Sequence, residues 1–328
     1  MGKYILKRLI LMVINIIIVT FVLFALIRML PVTIATSSAG EKAALIEKYT
    51  RLGINFSYNN NGTIVYVTGK PIIVQFGIWL SNAFQGDLGS AFNISTAATA
   101  SKAVTDIIAE RIGVTVQLNI ISFIISVPLG LAFGILAALK KNKLTDHIIS
   151  VIVMLFISVP SFVVALLMIY VFGFKAGIFP LYYTGEAVSM VLPILALSFG
   201  TIAGLTRYTR AELTEVLTND FMLLARAKGL TRAQATVRHA LRNSMVPVMP
   251  IILWNFISIL AGSYVIETAF SIPGIGKLII TAINSEPAEY DLYVAMSTFY
   301  TILSFVGALI VDLAYGFIDP RIRMGGKK

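Results

Sequence analysis

The chain has 328 residues, 57% of them hydrophobic and only 13% charged, with a formal net charge of +10. Water-soluble domains carry about a quarter charged residues, so the bilayer must be the solvent for most of this chain. Without a cysteine and with 2 histidines far apart in sequence, it is excluded from disulfide, iron–sulfur, thiolate-metal and cysteine-nucleophile chemistry, and it contains no Gly-x-Ser-x-Gly, His-Glu-x-x-His or P-loop pattern.

About six apolar stretches approach the roughly 20 helical residues that cross 30 Å of hydrocarbon. The first, Leu9 to Leu30, follows Lys3, Lys7 and Arg8. It is longer than the apolar core of a signal peptide and is expected to stay as an uncleaved span, making 1–31 an N-terminal transmembrane helix. Residues 32–112 are polar and form a loop domain. In it, Ile54–Tyr58 and Thr63–Thr68 flank Asn60-Asn61-Gly62, a hairpin signal. A helix is expected near Ala103–Arg111.

Residues 113–320 form the membrane core. Its spans are expected at Val114–Leu139, Ile148–Phe172, Val188–Leu205, Val246–Ile266 and Tyr293–Ile318. Pro128 and Pro160 should kink their helices. Gly130, Gly134 and Ala138 recur every four residues, the spacing that lets another helix approach closely. Arg28 lies at the outer end of the first span and is expected to snorkel to the interface. The expected fold is all-α and polytopic, with a small α/β element between the first and second spans.

The charges set the orientation. The N-terminus, the loop with Lys140, Lys141 and Lys143, the polar segment 207–245 and the tail 321–328 together hold most of the 26 Lys and Arg. The positive-inside rule therefore places both termini in the cytoplasm and 32–112 outside. This distribution explains the net charge with membrane lipid as the partner and no nucleic acid. The spans show neither paired acids nor an Arg ladder nor an inverted repeat. A secondary carrier or channel without an ATPase is the alternative reading.

Segment 207–245 is too polar to be embedded and too regular for a linker. Asp220 is expected to cap a helix. Phe221, Leu224 and Ala225 would form its apolar face. Arg226 and Lys228 suit the C-terminal turn, and Gly229 suits the left-handed position beyond it. Thr231 and Gln234 match a capping box that starts a second helix.

Ala225-Arg226-Ala227-Lys228-Gly229-Leu230, followed by His239-Ala-Leu-Arg-Asn243 and Pro247, resembles the loop of ABC-importer permeases of the dipeptide and oligopeptide family. The family pattern opens Glu-Ala-Ala, and here Leu223, Leu224 and Ala225 align, so the last alanine alone matches. Glu267-Thr-Ala-Phe-Ser-Ile-Pro-Gly-Ile-Gly276 is similar to the family's outer re-entrant segment. Val311-Asp-Leu-Ala-Tyr315 and Asp319-Pro-Arg-Ile-Arg323 are similar to its C-terminal end. Tyr4-Ile-Leu-Lys-Arg8-Leu9 and the long first loop resemble its B-type subunit. Two places depart from the pattern: Pro31-Val-Thr33 replaces Gly-Asp-Pro, and Ala288-Glu-Tyr-Asp291 replaces Arg-Asp-Tyr-Pro. Both are expected outside, where a binding protein docks.

The resemblance implies a type I ABC importer fold and a chain that is half of a heterodimeric pore, not an enzyme. It implies a C-type permease partner, two ATP-binding subunits and an extracytoplasmic substrate-binding protein. It also implies no cofactor on this chain, with ATP and Mg on the ATP-binding subunits. Asp220, Phe221, Leu224, Ala225, Arg226, Ala227, Lys228, Gly229 and Leu230 would carry the coupling helix that sits in a cleft of the ATPase. No metal site is expected and no substrate-binding residues are assigned. Relatives of the family carry dipeptides, longer peptides, nickel chelates and glycosides.

Overall fold

The apolar runs fold as helices. The computed structural model describes residues 2–29, 33–34, 46, 49–51, 53–58, 64–91, 102–285 and 288–318. Among the described residues, five helices are long and apolar enough to cross a membrane, or up to six if one bent pair is a single span. The chain divides into two compact units, Met1–Gly113 with Gly274–Val306 and Val114–Pro273 with Gly307–Lys328. The tail 321–328 and Asp319-Pro-Arg-Ile-Arg323 lie outside the described residues.

In the first unit, α1 (Gly2–Arg28) precedes a small antiparallel sheet of β1 (Thr33–Ile34), β2 (Ile54–Tyr58) and β3 (Ile64–Gly69), in the order β1-β3-β2. Ile54 pairs with Gly69 and Tyr58 with Ile64, with a register shift between Asn55 and Phe56. These are the two strands read from the alternating pattern. Their expected Asn-Gly turn falls outside the described residues. Helix α2 (Ile72–Phe84) follows. No helix is expected there from sequence, since its 13 residues are too short to span a membrane. Strands β4 (Ser90–Ala91) and β5 (Lys102–Ala103) form a short pair.

Phe24 and Ile27 of α1 pack with Tyr49, Ile54, and Phe76 and Trp79 of α2. Tyr290 and Val294 of α12 (Tyr290–Ile318) complete this cluster. Two expectations are corrected here. Arg28 does not snorkel. Its side chain is 3% exposed, lies 3.5 Å from Asp291, and sits 5.2 to 5.7 Å from the rings of Phe24, Tyr49 and Tyr290. Rings and a carboxylate give the guanidinium a buried alternative to water. Burial also pushes the Tyr49 phenol well above its usual range, with Arg28 opposing the shift. Likewise Glu289, Tyr290 and Asp291 are buried within this unit. They serve its packing, so this departure from the family pattern does not sit on an exposed docking surface.

The second unit corrects several boundaries. Helix α3 (Val104–Leu139) runs unbroken for 36 residues, so the helix expected near Ala103–Arg111 is the first part of the second span, and Pro128 lies inside it. The third span is not one helix. It is α4 (Leu144–Ser158) and α5 (Ser161–Met168), the latter extended by a π-helical turn to Lys175 and bent 100° from α4. The cause is local: Pro160 drives Val159 into extended conformation (φ −86, ψ 124), which ends the helix. Helix α6 (Ala187–Leu217) continues well past the expected Leu205, because Leu213 finds complete burial beyond the apolar stretch.

After α6 come α7 (Asp220–Ala227) and α8 (Arg232–Ala235). A π-helical turn then leads into α9 (Leu241–Ile257), which ends in a 3-10 turn to Leu260. The fifth span therefore stops before Ile266. Gly262 takes φ +69, and Ser263 accepts from the Ile266 N–H to start α10 (Tyr264–Ala269). In the first unit, α11 (Leu278–Asn284) follows.

Helices α3 and α6 cross where α3 carries Gly130 and Gly134. A Cβ on Gly130 would lie 2.7 Å from the Leu205 Cβ, and one on Gly134 2.6 Å from the Thr209 Cβ and 2.9 Å from the Thr206 carbonyl oxygen. The Thr206 hydroxyl donates to the Gly130 carbonyl at 3.1 Å. Gly134→Leu is expected to cost about 1–3 kcal/mol by overpacking and to lower the thermal midpoint of the detergent-purified protein. Gly200→Ala, where a Cβ meets nothing within 4 Å, should leave that midpoint unchanged or slightly raised.

Candidate functional site

The loop between α6 and α9 has a defined shape. Asn219, not Asp220, is the cap of α7, and no side chain accepts from its first turn. Asp220 is the first helical residue, where its carboxylate complements the helix dipole. At the other end the chemistry matches the sequence. Gly229 takes φ +90. Its N–H donates to the Arg226 carbonyl at 2.9 Å, and the Leu230 N–H reaches back to that of Ala225 at 3.4 Å. These paired bonds close the helix with a left-handed residue that glycine accepts without a steric cost. Thr231 and Gln234 then form both bonds of the capping box, at 3.3 and 3.0 Å.

The face of α7 differs from expectation. Met222 and Ala225 are buried. They pack with Ala138 of α3, Leu213 of α6, and Ala235 and Ala240, with Leu230 lying partly buried against the same group. Phe221 and Leu224, expected beside Ala225, are 39% and 57% exposed, and Leu223 is 65% exposed. Asp220, Arg226, Ala227, Lys228 and Gly229 are exposed as well. Every position from 221 to 225 is apolar, so periodicity cannot choose the inward face. Contact with α3 and α6 decides it. The short helix is thus fastened on one side and presents an open apolar ridge edged with Arg226 and Lys228 on the other.

An ion pair that local sequence does not reveal braces this region. Arg210 of α6 donates through Nε to Asp146 Oδ1 at 2.6 Å and through its terminal nitrogen to Oδ2 at 2.8 Å. Asp146 is 1% exposed and also accepts from the Asn142 N–H at 2.9 Å. Asn142 itself takes φ +62. The pair therefore ties the α3–α4 turn to α6 with the bidentate geometry that suits arginine. An acid in the first turn of a helix was its one legible signal, and nothing in sequence connects it to a residue 64 positions away.

The chain matches the family described as binding-protein-dependent transport system inner membrane component over residues 130–324, more than half its length. It belongs to that family. It is 33% identical over 327 residues to the dipeptide transport system permease protein DppB of Bacillus subtilis (strain 168), with 100% of both chains covered. It is 34% identical over 261 residues to the oligopeptide transport system permease protein OppB of Haemophilus influenzae, covering 79% of this chain and 83% of that one. It is 32% identical over 324 residues to the glutathione transport system permease protein GsiC of Escherichia coli (strain K12), covering 98% and 99%. Among solved structures, an amino acid ABC transporter crystallised with histidines aligns with a TM-score of 0.53 at 16% identity, over 64% of this chain and 94% of that one. The shared architecture is that of ABC-importer membrane subunits.

The α6–α9 loop, the glycine crossing and the Asp146–Arg210 pair of this inner membrane component all lie within the matched residues. Gly229→Val puts a β-branched residue at φ +90, which costs about 1–3 kcal/mol. Limited trypsin digestion in detergent, read by mass spectrometry, should then cut after Arg226 and Lys228 severalfold faster than in the wild type. Gly229→Asn should be cut near the wild-type rate, because asparagine tolerates left-handed backbone.

Proposed function

We propose that this chain is one permease subunit of an ATP-driven importer for peptides. The observation that carries the cargo class is the end-to-end likeness to a dipeptide permease, at 33% identity over the whole of both chains. The oligopeptide and glutathione permeases among its relatives point to the same class.

In this reading the chain pairs with a second, C-type permease. Two ATP-binding subunits carry ATP and Mg, and a substrate-binding protein delivers cargo from outside. Both termini and the α6–α9 loop face the cytoplasm, in keeping with the basic residues on those segments. The exposed ridge of Phe221, Leu223 and Leu224 docks on an ATP-binding subunit, the arrangement of an amphipathic helix in a groove. Arg226 and Lys228 flank that contact. Because Met222 and Ala225 are packed against the ends of α3 and α6, a displaced α7 carries those helices with it. ATP shifts the transporter only if the two conformations differ in their contact energy with the ATP-binding subunits.

The test is reconstitution of this chain with its C-type partner, the ATP-binding subunits and the binding protein in liposomes. Uptake of a labelled peptide should require ATP and should stop when the ATP-binding subunits are omitted. Uptake that persists without ATP and follows an imposed ion gradient would instead identify a secondary carrier.

A further inference from the structure

Within the second unit, three helices turn uncharged polar side chains toward one concavity of about 190 Å3. Asn119, Ser122 and Ser126 come from α3, Thr201 from α6, and Asn255 and Ser258 from the end of α9. On α3 the spacing of 3 and then 4 residues puts all of them on one face. Other faces of the same helices carry apolar side chains that are open in this chain, Ile124 at 62% and Phe256 at 58% exposure. Phe123, Leu197 and Ile259 also line the concavity, whose wall is therefore mixed but uncharged.

The polar groups divide into two kinds. Ser122 and Ser198 are buried and bond to each other at 3.0 Å, which is ordinary interhelical packing. The asparagines are different, being only half-buried. Asn119 Nδ2 donates to the Thr115 carbonyl and Asn255 Nδ2 to the Ile251 carbonyl, both at 2.8 Å, which fixes each amide on its own helix. Thr201 lies 3.4 Å from Asn255 Oδ1 across the concavity wall. Half-buried amides facing hydrocarbon are unfavourable, so side chains of this kind within a span face protein or a water-filled space. The volume is large enough for several waters. None of Asp, Glu, Lys, Arg or His lines it.

We propose that Asn119, Ser126, Thr201, Asn255 and Ser258 line a water-filled segment of the translocation path in this subunit, and that this segment meets its cargo through peptide-backbone amides. The inference rests on the permease function proposed above. Hydroxyl and carboxamide groups complement the N–H and C=O that every peptide carries, whatever its side chains. A wall without fixed charge forms no ion pair with cargo, so binding stays weak enough for release, as conduction requires. Discrimination among peptides is then left to the binding protein.

The natural absence of cysteine allows a direct test in the assembled importer. Single substitutions Thr201→Cys and Ser258→Cys are close in size to the native residues, which are half-buried, and Ile124→Cys and Phe256→Cys report the apolar faces. A charged, membrane-impermeant methanethiosulfonate reagent should modify the first two at least about tenfold faster than the controls. Saturating peptide with the binding protein should slow that modification. Rates equal to the controls, in an importer that takes up peptide, would overturn the path and leave the permease reading intact. Fast modification that peptide does not slow would overturn the backbone-amide contact. Failure of the wild-type assembly to take up any peptide with ATP would overturn the permease reading and this inference with it.

Discussion

The close approach of α3 to α6 at Gly130 and Gly134 is the constraint on which the second unit depends. In lipid there is little hydrophobic drive to bring helices together, so packing and interhelical hydrogen bonds must supply the association. Here the absence of two side chains lets Leu205, Thr206 and Thr209 come against the α3 backbone, and the Thr206 hydroxyl bonds directly to the Gly130 carbonyl. One turn further along, the same crossing brings Ala138 beside Leu213, and that small apolar floor is where Met222 and Ala225 of α7 settle. Widening the crossing would remove the seat of the loop helix as well as the contact between the spans.

The loop helix owes its stiffness to local chemistry and its position to tertiary packing. Its N-terminal end has no side-chain cap, while its C-terminal end is closed by Gly229 and followed at once by the Thr231–Gln234 box. With Leu230 alone between the glycine closure and the capping box, few torsions are left free. The Asp146–Arg210 pair then secures α6 to the α3–α4 turn just before the loop begins. A push on the outer face of α7 therefore meets braced structure rather than slack chain, as the proposed coupling to an ATP-binding subunit requires.

Features set by neighbouring residues were legible in the sequence, and features set by distant ones were not. Gly229, the Thr231–Gln234 box, and the paired strands 54–58 and 64–69 each follow from residues within a few positions of one another. Pro160 was legible as a perturbation, but its effect on Val159 turns an expected kink into a 100° break. The inward face of α7 was not legible, since Phe221, Met222, Leu223 and Leu224 are all apolar and only Ala138 and Leu213 distinguish among them. Arg28 reads as an interfacial residue until Tyr49, Tyr290 and Asp291 are brought around it from two distant parts of the chain. Helix α2 stayed hidden for a different reason: it is local, but at 13 residues it is too short to read as a span.

The central claim is that α7 is held by one face and engages an ATP-binding subunit with the other. Photo-crosslinking from single positions on α7 in the assembled importer tests it most directly. Probes at Leu223 and Leu224 should capture an ATP-binding subunit, and a probe at the buried Met222 should not. Capture from Met222 with none from Leu223 or Leu224 would contradict the account, because it would place the docking face where the structure places the seat.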